Sequence, residues 1–77
     1  MTAEYKQELI DSKIEILYDS CILRSTRNQR IDSREEIVRD FLNSFSTEIA
    51  MENALHDVLK GTISLNRKLE NWKARFN

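Results

Sequence analysis

Four arginines fall within eleven positions of the stretch LRSTRNQRIDSREE: Arg24, Arg27, Arg30 and Arg34. Guanidinium groups at that density can take carboxylates or phosphates, each through paired donors. The same chemistry recurs late in the chain, where Arg67, Lys68, Lys73 and Arg75 interleave with Trp72 and Phe76. Cations beside an aromatic face suit a docking surface for a protein partner, or for a nucleic-acid backbone with Trp72 or Tyr5 as a stacking platform.

Catalytic chemistry has little support. His56 stands next to Asp57 with no Ser or Cys at a motif spacing. The carboxylates are many, but no motif pairs them. The one glycine excludes a Gly-rich phosphate loop. Cys21 is the only cysteine, so no disulfide can form within the chain, which fits a reducing compartment. One Cys and one His fall short of the usual four zinc ligands. No catalytic residue, metal site or cofactor is expected, and the chain reads as a non-enzyme.

The totals set the frame for these residues. A chain of 77 residues is one small domain, 1–77, near the size at which a single core barely offsets the entropy of ordering. A partner subunit is the remaining way to stabilise it, so a homodimer or a hetero-oligomer is expected. Hydrophobic residues make up 40% and charged residues 32%, which separates the chain from disordered sequences. One glycine and no proline argue for helices over a turn-rich sheet. The start, MTAEYKQELID, lacks the layout of a secretion signal. No apolar run is long enough to span a membrane, and there is no Asn-x-Ser/Thr acceptor. A cytoplasmic location without membrane association is expected.

Three helices are predicted to position the cations. The first covers about 3–27. Ile10, Ile14, Leu17 and Cys21 step along one face, and Tyr5, Leu9, Ile16 and Leu23 form a second stripe. Lys6, Lys13 and Arg24 run between the stripes with stems over apolar neighbours. Two stripes imply two neighbours, either both within the bundle or one from another molecule. Cys21, on the apolar face, is expected to be a small buried hydrophobe. Asp32 or Ser33 starts a second helix, about 33–45, the spacing from Ser33 to Glu36 matching a capping box, with Ile37, Val38, Phe41, Leu42, Phe45 and Ile49 along its face and just beyond.

After Ile49 the apolar phase changes. Met51, Leu55, Val58, Leu65, Leu69, Trp72 and Phe76 repeat at heptad spacing, with Thr62 in the gap. This predicts a long third helix, about 47–76, started by Ser46 or Thr47 and packed in coiled-coil fashion. Lys60-Gly61 is also a good helix ending. A competing reading therefore runs one helix from 33 to 60 and another from 62 to 76. Ile10, Ile14, Leu17, Cys21, Met51, Leu55, Val58, Leu65, Leu69 and Phe76 form the expected packing or oligomer seam.

Charge is segregated along the chain: residues 1–23 and 35–59 are net acidic, 24–34 and 60–77 net basic. With three helices running up, down and up, the last turns finish beside the arginine stretch. Arg24, Arg27, Arg30, Arg34, Lys68, Trp72, Lys73 and Arg75 would then share one basic pole. The resulting expectation is an all-α, three-helix bundle or extended helical hairpin. Its expected role is a non-catalytic protein-binding module: a regulator, an inhibitor or a chaperone-type adaptor. The alternatives are nucleic-acid binding through the basic pole, or mimicry of nucleic acid by the acidic helix faces to inhibit an enzyme. Against the first stand the net charge of −1 and a helix-turn-helix candidate whose recognition helix would be acidic.

Overall fold

The computed structural model describes residues 1–76. Four helices surround one core: α1 (Ala3–Asp19), α2 (Glu35–Asn43), α3 (Glu48–Leu59) and α4 (Leu65–Ala74). A two-stranded antiparallel hairpin, β1 (Ser25–Thr26) and β2 (Gln29–Arg30), sits between α1 and α2. The expectation of three helices and no strand is thus corrected at three places, each with a local cause.

The first is the end of α1, which stops at Asp19 rather than near Arg27. Cys21 adopts a left-handed backbone, φ 59°. The Ile22 N–H donates to the Leu17 carbonyl and the Cys21 N–H to the Tyr18 carbonyl, both at 3.0 Å. This is a Schellman ending with cysteine at the position glycine usually holds. The turn folds Leu23 back into the core, where it is 0% exposed. Cys21 itself is exposed, so it is not the buried seam residue its spacing suggested.

The second is the stretch after Leu23, where the first helix was expected to run on to about 27 and a hairpin stands instead. Ser25 pairs with Arg30 and Thr26 with Gln29. The two central residues, Arg27 and Asn28, have φ of 49° and 65°. Positive φ at both marks a type I′ turn, whose twist matches that of paired strands.

The third is the expected long helix 47–76. It ends at Leu59, because Gly61 (φ 72°) forms a second Schellman turn: Thr62 N–H to Asp57 carbonyl and Gly61 N–H to Val58 carbonyl. Ser64 then caps a new helix by accepting from the Arg67 N–H. The heptad spacing survives only in part. Met51, Leu55 and Val58 are buried on α3, and Leu65 and Leu69 on α4, while Phe76 is 72% exposed. The competing 33–60 helix does not form either, since Thr47 caps α3 through the Ala50 N–H.

The capping box at Ser33 is also corrected. Ser33 is exposed, and the first turn of α2 is organised by Asp32. The core itself is Ile10, Ile14 and Leu17 of α1, Leu23, Val38, Phe41 and Leu42 of α2, and the buried residues of α3 and α4. α1 lies against α2 and α3, and α2 against α4, whereas α3 and α4 make no extended contact. No described helix is long and apolar enough to cross a membrane.

Candidate partner-binding groove

Pairs of contacts fix the direction of each helix. Tyr18 of α1 meets Glu35 of α2 (2.8 Å), and Lys6 donates to the Asn43 carbonyl (2.6 Å), so α1 and α2 are antiparallel. Tyr5 donates to Glu48 and Lys13 to Glu52, so α3 runs along α1 in the same direction. Arg34 bonds Asn66, and Phe41 packs edge-on against Trp72 at 5.8 Å, so α4 descends alongside α2. The chain therefore goes up, down, up and down.

That order overturns the shared basic pole. Either three-helix reading would have brought the C-terminal turns up to the arginine hairpin. Breaks at both Thr47 and Gly61 add one reversal. Trp72 and Phe76 consequently lie with Phe41 and Phe45, toward the end where α1 begins. Of the eight expected pole residues, Arg34 and Lys73 border one shallow cleft, while Lys68, Trp72 and Arg75 line a separate groove.

The arginines have separate duties. Arg34 grips Asp32 through Nε (3.0 Å) and Nη2 (2.7 Å), and also donates to the Ile22 carbonyl and to Asn66. The Asp32 carboxylate further accepts the backbone N–H groups of Arg24 and Arg34. The Arg34 guanidinium, helped by those N–H groups, holds the Asp32 carboxyl far below the usual carboxylate range. This pair ties the hairpin to the starts of α2 and α4. Arg30 lies over the Tyr18 ring at 4.9 Å and reaches Glu15 at 3.4 Å. Tyr18 in turn donates to Glu35, which lowers the Glu35 pKa, and Arg39 links Glu35 to Asp11. Among the described residues, only Arg24 and Arg27 of the four have side chains without a carboxylate partner.

The expected seam is an interior. Ile10, Ile14, Leu17, Met51, Leu55, Val58, Leu65 and Leu69 all sit in the core of this chain. Lys13, expected to keep its charge in water, is 3% exposed and reaches Glu52 at 2.6 Å.

What remains open is the gap between α3 and α4. A groove of about 540 Å³ runs there. Ala50, Asn53, Ala54 and Asp57 line it from α3; Lys68, Asn71, Trp72 and Arg75 line it from α4. Phe41 and Phe45 form its floor, and Phe76 closes one end. All three phenylalanines and the only tryptophan of the chain meet here, in an edge-to-face chain with centroids 5.1–5.8 Å apart. Lys68 binds Asp57 across the groove at 3.1 Å. The indole Nε1 of Trp72 is buried and has no hydrogen-bond acceptor among the described residues.

Sequence reasoning placed Trp72 and Phe76 beside the cations but missed the α2 and α3 walls. The i, i+4 pairs Phe41/Phe45 and Trp72/Phe76 were the available signal. Among the described residues, no three of His, Cys, Asp and Glu are grouped so as to hold a metal ion. Comparison with protein-family models, with curated proteins and with solved structures gives no match.

Proposed function

We propose that this chain is a non-catalytic protein-binding module, a small regulator, inhibitor or chaperone-type adaptor, and that the α3–α4 groove receives its partner. The observation that carries the reading is the convergence of Phe41, Phe45, Trp72 and Phe76 on one open groove, with Phe76 left 72% exposed. Aromatic anchors in a half-open apolar groove, rimmed by polar side chains, are the usual centre of a protein interface.

Affinity capture from a source-cell lysate tests the reading, run with and without nuclease and with two variants. The expected result is a protein retained after nuclease treatment by the wild type and lost with Phe76→Glu. Arg24→Glu/Arg27→Glu serves as the second variant. Nucleic-acid binding has one supporting observation: exposed Arg24 and Arg27, before and at the tip of the hairpin, have no carboxylate partner among the described residues. A retained set that vanishes with nuclease and with the arginine variant, but survives Phe76→Glu, would replace the groove reading with that one.

A further inference from the structure

We propose that the occupant of this groove is an α-helix of a partner protein, apolar toward α2 and carrying carboxylates along the edge that faces α4. The inference rests on the groove reading and adds the chemistry of what the groove takes.

Shape argues for a helix. α1 contacts α2 and α3, and α2 contacts α4, but α3 and α4 face each other antiparallel across a gap. The layer is one helix short of closing over Phe41 and Phe45. On the α3 wall the groove is lined by Ala50 and Ala54, one turn apart, so a neighbouring backbone can approach closely there. The walls are themselves helices whose backbone groups are already bonded. An extended peptide would find no ladder of donors and acceptors on them, whereas a helix brings its own hydrogen bonds internally.

Charge argues for the acidic edge. Three charged side chains line the groove: Asp57, Lys68 and Arg75. Asp57 and Lys68 neutralise each other at 3.1 Å. Arg75, seven residues after Lys68 and so on the same helix face, has no carboxylate partner among the described residues. Arg67, one turn before the groove residue Asn71, adds a second positive charge to this side of α4, whereas Lys73 and Glu70 border the cleft with Arg34 on the other side. The α3 wall opposite offers the Asn53 amide and no free charge of either sign beyond the paired Asp57. A helix lying between them meets a positive edge on one side and a neutral one on the other, which also sets its rotation.

Two fluorescein-labelled, helix-forming peptides of about 18 residues test this. Both carry Leu and Phe at alternating three- and four-residue steps. One has glutamates along one flank of that stripe; its twin has lysines there. Binding is read by fluorescence anisotropy at about 50 mM salt, where surface charge is weakly screened. The wild type is expected to hold the glutamate peptide about fivefold tighter than the lysine twin, the size of one or two exposed ion pairs. Arg75→Glu is expected to remove or reverse that preference. Phe76→Ala should weaken both peptides, and the bound glutamate peptide should gain helical circular dichroism. Arg75 and Phe76 are exposed, so neither change threatens the fold.

Equal affinity for the two peptides, lost in Phe76→Ala, overturns the acidic edge and leaves the groove reading standing. No binding of either peptide overturns the helix assignment. Sedimentation of the unlabelled chain supplies the last outcome. A dimer that Phe76→Ala returns to monomer would make a second copy of this chain the occupant, and would overturn the partner helix.

Discussion

Arg34 and Asp32 meet in a two-point contact, Nε to Oδ1 at 3.0 Å and Nη2 to Oδ2 at 2.7 Å, at the junction of the hairpin, α2 and α4. The same guanidinium reaches the Ile22 carbonyl and Asn66, so one side chain spans four segments. The most partner-like cluster in the sequence thus contributes one of its arginines to holding the fold together.

This pair predicts the acid limb of stability. The folded-state pKa of Asp32 is depressed, chiefly by the Arg34 side chain. Such a group stabilises the fold fully above its unfolded pKa of about 4 and loses that contribution as pH falls toward the folded value. Asp32→Ala should cost about 2–3 kcal/mol at pH 7, since it removes charge-assisted bonds to two backbone N–H groups and Arg34. Urea melts of both proteins should give a gap that is constant above about pH 4.5 and narrows below it. A gap that ignores pH would assign the loss to packing instead.

The two Schellman turns make a matched experiment. Cys21 and Gly61 hold equivalent left-handed positions, at φ 59° and 72°. Cys21→Gly should raise stability by about 0.5–1 kcal/mol, because an L side chain is disfavoured there. Gly61→Ala should lower it by about 1 kcal/mol. A Cβ at Gly61 would meet nothing within 4 Å, so that cost is conformational and not steric. Thermal melts under reducing conditions should show opposite shifts of similar size.

Trp72 combines a packed ring with an orphaned donor. Trp72→Phe keeps an aromatic against Phe41 and removes the buried Nε1–H that finds no acceptor among the described residues. An unsatisfied buried donor costs about 1–3 kcal/mol, which offsets the smaller ring. Trp72→Phe is therefore expected within about 1 kcal/mol of the wild type, and Trp72→Ala about 3 kcal/mol below it. A Phe variant as damaged as the Ala variant would mean that the indole N–H is bonded in solution.

Lys13 and Glu52 should respond unequally to substitution. The lysine is 3% exposed, while the glutamate side chain that holds it is 53% exposed. Glu52→Ala leaves a buried ammonium without its partner and should cost about 1–3 kcal/mol. Lys13→Met fills the same space without charge and should be neutral or stabilising. Chemical denaturation of both variants checks the asymmetry; equal losses would contradict it.

Much of the fold could be read from residue order. The stripe Ile10, Ile14, Leu17 is buried on α1 as its spacing required, and Met51, Leu55 and Val58 are buried on α3. Thr47 caps α3, one of the two residues expected to do so. The helix ending at Lys60-Gly61 was visible but competed with an unbroken heptad phase. The phase misled because Leu65 and Leu69 reach the same core from a separate helix. Nothing local announced the end of α1. Cys21 accepts a disfavoured backbone so that Leu23 can be fully buried, and that gain exists only once α2 and α3 are in place.

The site divides the same way. Segregated charge, apolar spacing and scarce turn residues, all local properties, determined a helical chain with basic and acidic stretches. Which stretches meet depends on the number of reversals between them, and one extra turn carries the end of α4, with Trp72 and Arg75, toward Phe41 and Phe45 and away from the arginine hairpin. Whether a given arginine is free depends on which carboxylate the fold brings to it: Asp32 for Arg34, Glu15 for Arg30, none among the described residues for Arg75. Four aromatic rings separated by up to 35 positions become one groove only because α4 descends beside α2 without closing onto α3. Spacing along a helix is set by its pitch and is legible in the sequence, but the gap between two helices is set by what packs beneath them.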